Sequence, residues 1–320
     1  MLLDKLSRPL KVLRISLTDR CNLRCNFCMP PGKEYNFLPK RQLLTPEEIE
    51  EYVKIFAKLG VEKVRLTGGE PLLREDLEEI IQRISKVEGI KDIALTTNGV
   101  FLKERLKALK EAGLKRITVS VHSLNPEKNQ KLVNRSVNLG EVFEVIIRAK
   151  ELGFKVKVNS VIIKGFNDDE ILDLARFFKN LGVTLRFIEY MDVGTVNDWD
   201  FSKVVSADEI LNLMKKEFTF YPLPKRPEDT SMDFIYEDGN KFGIIASVTK
   251  PFCRGCNRIR LSADGKLYTC LFSDKGHDLR NAVDKENFIK EVWKDRKDRY
   301  SELRRQMKRE RKVEMFKVGG

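Results

Sequence analysis

Three cysteines stand within the eight residues CNLRCNFC, namely Cys21, Cys25 and Cys28. Three more, Cys253, Cys256 and Cys270, fall within PFCRGCNRIRLSADGKLYTC. Thiols gathered in this way point to metal or redox chemistry rather than to disulfides. A structural zinc site closes with four protein ligands, usually supplied as paired C-x₂-C units. Each group here offers three, and His122 and His277 are the only histidines in the chain. On a cubane iron-sulfur cluster, three thiolates leave one iron open to a ligand that is not protein. The first group, C-x₃-C-x₂-C, is read in that sense. At the second group a zinc-stapled hairpin stays open as an alternative. Asp264-Gly265, between candidate strands 258–261 and 266–269, suits a two-residue turn that folds Cys270 back towards Cys253 and Cys256.

These cysteines need a scaffold, and the chain supplies one. Six strand candidates, at 11–18, 62–67, 92–97, 116–122, 155–162 and 183–190, alternate with helical stretches, the pattern of parallel βα units. In LTPEEIEEYVKIFAKLG, Thr45 caps, Pro46 suits the first helical position, and Glu48 completes a capping box. Ile49, Val53, Phe56 and Leu59 then share one face. NDDEILDLARFFKNLG, residues 167–182, reads as a repeat of that design. The strands alternate as well. One face carries Arg14, Ser16 and Thr18, then Lys63, Arg65 and Thr67, then Thr96 and Asn98, then Thr118, Ser120 and His122, then Lys155, Lys157 and Asn159. The opposite face is Leu, Ile and Val. If that face meets the helices, the polar face lines the inside of a barrel, which is then basic and wet rather than filled with apolar layers. The first cysteine group follows the first strand directly, at the end where such folds keep their active sites.

After Tyr190 the pattern changes, and we read residues 1–190 as a partial barrel and 191–320 as a further region carrying the second cysteine group. In that region 206–218 reads as a helix, 221–227 as an irregular connector and 285–312 as one charged helix. Its segment KDRKDRYSELRRQMKRERK is taken as a solvated face with i,i+4 pairs rather than an RNA-binding surface. The 320 residues carry 42% hydrophobic and 34% charged side chains, a globular composition. A formal charge of +12 favours anionic partners, among them a nucleic acid, a phosphorylated small molecule or an acidic membrane. No apolar run approaches the roughly 20 residues of a membrane span, and the opening MLLD does not begin a signal peptide, so a cytoplasmic location is expected.

C-x₃-C-x₂-C with Phe27 before its last cysteine, and Thr67-Gly68-Gly69-Glu70-Pro71 at the end of the second strand, resemble the radical S-adenosylmethionine (SAM) superfamily. The C-x₂-C-x-R-x-R-x₉-C arrangement of the second group, Lys63-Val64-Arg65 and Gly319-Gly320 narrow the resemblance to the GTP 3′,8-cyclase family. That resemblance implies an incomplete (βα)6 TIM-like barrel with a C-terminal α+β extension carrying a second iron-sulfur cluster. It implies 4Fe-4S clusters on Cys21, Cys25 and Cys28 and on Cys253, Cys256 and Cys270. SAM contacts would fall on Phe27, Gly69, Ser120 and Met191. GTP contacts would fall on Arg14, Lys63, Arg65, Thr96, Lys157, Arg258, Ile259 and Arg260, and Gly319 and Gly320 would support the reaction.

The implied reaction starts with one-electron cleavage of SAM to a 5′-deoxyadenosyl radical. The radical removes the 3′ hydrogen of GTP, and the ribose carbon closes onto C8 of guanine, opening molybdenum cofactor biosynthesis. GTP is then the substrate, an electron donor protein and a downstream cyclic pyranopterin monophosphate synthase are functional partners, and a homodimer is one option. Neither a membrane nor a stably bound nucleic acid is expected. Two other readings compete. One is a radical SAM enzyme with an auxiliary cluster that modifies a peptide or protein; the other is a basic, zinc-stabilised nucleic-acid-binding protein.

Overall fold

A computed structural model describes residues 1–306 and 312–320. The six expected strands form as β1 (Val12–Ser16), β2 (Lys63–Thr67), β3 (Asp92–Thr97), β4 (Arg116–Ser120), β5 (Lys155–Ile162) and β6 (Thr184–Glu189). All six are parallel and adjacent in chain order. Their apolar face is the core. Leu13, Ile15, Val64, Leu66, Leu95, Ile117, Val119 and Val158 are fully buried and form one cluster with the inner faces of the helices. Each such side chain stabilises the fold by about 1.5–3 kcal/mol.

The crossover helices are α1 (Pro46–Lys58), α2 (Leu77–Ser85), α3 (Leu106–Glu111), α4 (Pro126–Val133), α5 (Leu139–Glu151) and α6 (Ile171–Asn180). At α1 the capping box is complete: the Glu48 amide donates to Thr45 Oγ1 at 3.2 Å and the Thr45 amide to Glu48 Oε2 at 2.8 Å. The start of α6 does not repeat it. Asn167 makes no side-chain cap to the short 3₁₀ turn Asp168–Glu170 that leads in. Its amide instead pins the end of β5, accepting from the Ile163 amide at 2.8 Å and donating to the carbonyls of His122 and Val161 at 2.7 and 2.9 Å. An Asn beside a strand end satisfies backbone groups there as readily as at a helix.

Beyond Tyr190 the chain continues the same sheet. Helix α7 (Ala207–Met214) precedes β7 (Phe220–Pro222), β8 (Met232–Tyr236), β9 (Lys241–Ile245), β10 (Arg258–Leu261), β11 (Lys266–Tyr268) and β12 (His277–Asp278). β10 lies parallel to β1, and β9 parallel to β6, so eight neighbouring parallel strands run from β10 to β9. The extension thus widens the barrel wall at both edges, with antiparallel hairpins outside each.

Three expectations for this region need correction. The connector expected at 221–227 gives its first two residues to β7, which pairs with β8. The hairpin turn is longer than two residues: Ser262 N–H donates to Lys266 O at 2.9 Å, and Gly265 takes φ +86° in the three-residue loop between them, a glycine-bulge geometry. The charged helix is broken into α8 (Lys285–Lys294) and α9 (Tyr300–Leu303), and 307–311 lie outside the described residues. Nor is it solvated throughout, because Arg296 and Arg304 are buried. A last helix, α10 (Met315–Val318), packs on β1.

Candidate functional site

The loop after β1 carries Cys21, Cys25 and Cys28 and hangs on the end of α4. The Arg24 and Asn26 amides donate to the carbonyls of Val133 and Leu132 at 2.8 and 2.9 Å. Asn134, left-handed at φ +50° as it closes α4, donates from Nδ2 to Arg24 O at 2.9 Å and to Asn26 Oδ1 at 2.6 Å. Opposite lies the segment after β2. The Gly69 and Glu70 amides donate to the carbonyls of Thr18 and Arg20 at 2.7 and 2.8 Å. A Cβ on Gly68 or Gly69 would overlap those carbonyls, so only glycine permits the approach.

Glu70 is buried and accepts from Leu72 N at 3.0 Å, Thr97 Oγ1 at 2.7 Å and Asn98 N at 2.8 Å. Burial outweighs these bonds and raises its carboxyl to about 7. Asn98 Nδ2 then reaches Asn22 Oδ1 at 2.8 Å, joining this segment to the cysteine loop. A cavity of about 200 Å³ results, lined by the three cysteines with Phe27, Gly69, Ser120, His122 and Met191 among others.

Burial pushes all three thiols up, Cys21 to about 11, and mutual repulsion adds to the rise at Cys25 and Cys28. His122 stands edge-on to Phe27 at 4.9 Å, and burial lowers it to about 4. The neutral ring accepts from Val161 N at 3.1 Å through Nδ1.

A second cavity, about 600 Å³, fills the barrel interior. Strand register sets its floor: Arg14 lies level with Arg65 on β2 and with Arg260 on β10, and Thr96 level with Thr118, itself level with Lys157. Burial first and neighbouring guanidiniums second lower Arg65 and Arg260 to about 10, and Arg14 as well; Lys157 falls to about 8 for the same reasons. The buried Nε atoms of Arg14, Arg116 and Arg186 have no hydrogen-bond partner among the described residues. Crowded buried cations with unused donors suit a multiply charged anion.

Cys253, Cys256 and Cys270 line the same cavity. Burial alone would raise the Cys256 thiol, but Arg258 and Arg296 override it and bring it down to about 6; Arg258 Nη2 donates to its Sγ at 3.1 Å. Burial raises Cys253, and raises Cys270 to about 11.

Among the described residues no three His, Cys, Asp or Glu side chains are closed round a point as they would be round a single metal ion. Each trio of thiols instead lines a cavity, a donor set that suits an iron-sulfur group with one iron left open. Gly320 lines both cavities, and Gly319 precedes it. Arg14 donates to Gly320 O, and Arg260 donates to Gly319 O and, at 3.2 Å, to Val318 O. A Cβ on Gly319 would overlap the Thr67 methyl group.

Phe27, Gly69, Ser120 and Met191 thus line the first cavity, and Arg14, Lys63, Arg65, Lys157, Arg258 and Arg260 the second. Thr96, Asn159, Ile188, Met191 and Gly320 line both and form the shared wall. The side chain of Ile259 is in the core, so only its backbone is left to face a ligand. Lys155 is exposed and lines neither cavity. Arg116 and Arg186 were missed, although each keeps the two-residue period of its strand. Arg296 was missed with no such signal.

Residues 15–178 match the Radical SAM superfamily and 183–302 match Molybdenum Cofactor Synthesis C. A protein of Staphylococcus epidermidis named GTP 3′,8-cyclase is 44% identical over 99% of this chain and 98% of its own. Its namesake in Staphylococcus aureus is 43% identical with the same coverage. SuiB of Streptococcus suis, solved with bound S-adenosylmethionine, superposes with a TM-score of 0.65 at 17% identity, over 95% of this chain and 69% of its own. That last likeness is one of fold.

Proposed function

The chain belongs to the GTP 3′,8-cyclase family of radical SAM enzymes, and from that membership we propose that it converts GTP to (8S)-3′,8-cyclo-7,8-dihydroguanosine 5′-triphosphate, the first step of molybdenum cofactor biosynthesis. The observation that carries this reading is the shared wall between two unlike cavities. One is rimmed by three thiols and the glycine segment after β2, the other by a row of arginines.

Membership of a radical SAM family brings a 4Fe-4S cluster and SAM with it. Cys21, Cys25 and Cys28 would hold that cluster, with SAM along Phe27, Gly69, Ser120 and Met191. When bound, the pair supplies one-electron reductive cleavage of the SAM sulfonium. The protein's own contribution is binding and orientation. Arg14, Arg65, Lys157, Arg258 and Arg260, with Lys63, would hold the triphosphate and anchor the base end near the second trio. Thr96 at the shared wall would set the ribose beside the first cavity. Fixing both reactants across one wall is a proximity effect.

Cys253, Cys256 and Cys270 would hold a second 4Fe-4S cluster. Residues 1–190 would form the radical SAM partial barrel, and 191–320 would carry the second cluster and close the substrate side. An electron donor protein and a downstream cyclic pyranopterin monophosphate synthase would be its partners. Among the described residues no helix is long and apolar enough to cross a membrane.

The test is anaerobic incubation of reconstituted protein with SAM, GTP and a strong reductant. GTP-dependent 5′-deoxyadenosine with matching loss of GTP is expected; protein carrying its clusters yet leaving GTP intact would overturn the assignment. Gly319 and Gly320, placed on Arg14 and Arg260, would complete the site, and deleting both should abolish product while leaving iron content unchanged. Full product formation by the truncated chain would remove them from the reaction.

A further inference from the structure

All three segments bearing the second trio of cysteines hang from two buried arginines that share one carboxylate. Arg296 follows α8 with its side chain only 1% exposed and its guanidinium 4.6 Å from the Trp293 ring centroid. Its fork touches two of the three segments. Nη1 donates to Cys256 O at 2.6 Å, Nη2 to Cys256 Sγ at 3.0 Å, and Nε to the carbonyl of Thr269, the residue before Cys270, at 2.9 Å. Arg8 takes the third, donating from Nη1 to Cys253 O at 2.8 Å across 245 residues of sequence. Between them lies the buried carboxylate of Asp4, whose Oδ2 accepts from Arg8 Nε at 2.6 Å and from Arg296 Nη1 at 3.1 Å. The Asp298 carboxylate stands 3.8 Å from Arg296 Nε and accepts from Thr269 Oγ1 at 2.6 Å. The segment before β1 is thus part of a site near the other end of the chain.

Two physical consequences follow from a guanidinium fixed in this way. Its planar fork satisfies one carbonyl and one sulfur of the same residue, which locks Cys256 against rotation; a lysine ammonium, a point charge, has no such fork. A hydrogen bond to a ligating sulfur also stabilises added negative charge on an iron-sulfur group and so raises its reduction potential. We propose that Arg296, held by Asp4, which Arg8 anchors in turn, is the positioning residue of the second site: it fixes Cys256 and, through its N–H bond to that sulfur, sets the potential of the cluster and its response to GTP. This rests on the reading that Cys253, Cys256 and Cys270 hold a 4Fe-4S cluster.

The experiment uses the full chain with Cys21, Cys25 and Cys28 all changed to Ala, reconstituted anaerobically, so that any cluster belongs to the second site. Iron content, a redox titration followed by electron paramagnetic resonance and the spectral change on adding GTP are compared with and without Arg296→Lys. The parent should hold about four irons. Arg296→Lys should keep them, shift the one-electron equilibrium at least tenfold towards the oxidised form, about 59 mV, and need about tenfold more GTP for the same spectral change. A parent without a cluster overturns the second-site reading and this inference together. A parent with a cluster, whose potential and GTP response are the same in Arg296→Lys, overturns this inference alone. Should Arg296→Lys take up no iron, Asp4→Asn replaces it, since it keeps the guanidinium but frees one of its anchors. A displaced potential then supports the inference, and an unmoved one overturns it.

Discussion

Around Cys21, Cys25 and Cys28 the packed neighbours are Leu23, Phe27, Leu132 and Val133, and the nearby histidine is held neutral. Around Cys253, Cys256 and Cys270 the same cavity wall carries Arg14, Arg258, Arg260 and Arg296. Both trios offer three thiols, but at the first site burial raises every one, whereas at the second two guanidiniums hold the central thiol near 6. Donor count therefore says little about how a thiol site behaves. The charges that surround it decide whether it tolerates more anion. At the first site burial is the largest influence on all three thiols, whereas at the second Arg258 and Arg296 reverse it at Cys256 alone.

The sharpest way to break that contrast is to remove one donor from each trio. Cys21→Ser and Cys270→Ser should each lower iron from about eight to about four per chain, and both should abolish cyclised product. Only Cys21→Ser should also abolish the 5′-deoxyadenosine formed without GTP. Equal loss of that uncoupled reaction in both variants would merge the two sites into one function.

Next in size is Gly69→Ala. The added methyl overlaps the Arg20 carbonyl, and backbone cannot yield as a flexible side chain can, so a cost of about 3 kcal/mol or more is expected. SAM binding should weaken more than 100-fold while GTP binding, measured by equilibrium dialysis, stays within a factor of about three. A parallel loss of GTP would show that the two cavities do not separate.

The neutrality of the first site can be read from stability against pH. His122 titrates near 4 in the fold and near 6.5 when unfolded. Above pH 6.5 it is neutral in both states. As pH falls from 6.5 to 4 the unfolded chain binds a proton that the folded chain refuses, so stability is lost across that window, by about 3 kcal/mol at its lower end. His122→Gln, whose side-chain oxygen can still accept from Val161 N, should flatten this part of the profile in urea titrations. An unchanged slope would place the acid sensitivity elsewhere.

Arg65→Ala tests the charged side. One charge-assisted contact among several is worth about 1.5–3 kcal/mol, so GTP should bind roughly 10- to 100-fold more weakly with SAM binding unaltered. Unaltered GTP affinity would mean that the row of arginines is not the triphosphate site.

Much of this contrast could be read before any fold was known, wherever local periodicity carried it. Arg14, Lys63, Arg65, Thr96 and Lys157 fall on one strand face because side chains two apart point the same way, and the cavity wall bears this out. The same rule reaches Arg116, two before Thr118, and Arg186 in the sixth strand. The polar face read for the fourth strand starts at Thr118 and none is read for the sixth, so neither arginine is on it. Asn167 misled because one side chain can serve either a helix start or a strand end, and only the neighbouring backbone selects between them. The run from Lys294 onward misled for a related reason: mixed charge usually marks a solvated face, yet Arg296 and Arg304 are drawn inward by Asp4 and Asp192 from far along the chain.

By itself, then, the sequence determined the two thiol trios, the alternation of barrel strands with helices and the polar lining of their inner face. Each depends on residue spacing over a few positions, where backbone geometry leaves little choice. Tertiary structure alone decided that β9 and β10 join the barrel wall, that Gly319 and Gly320 rest on Arg14 and Arg260, and that Asp4 and Arg8 support cysteines far along the chain. Those contacts join residues whose separation in sequence carries no periodic signal. They form only because burying the core brings distant segments of the chain together.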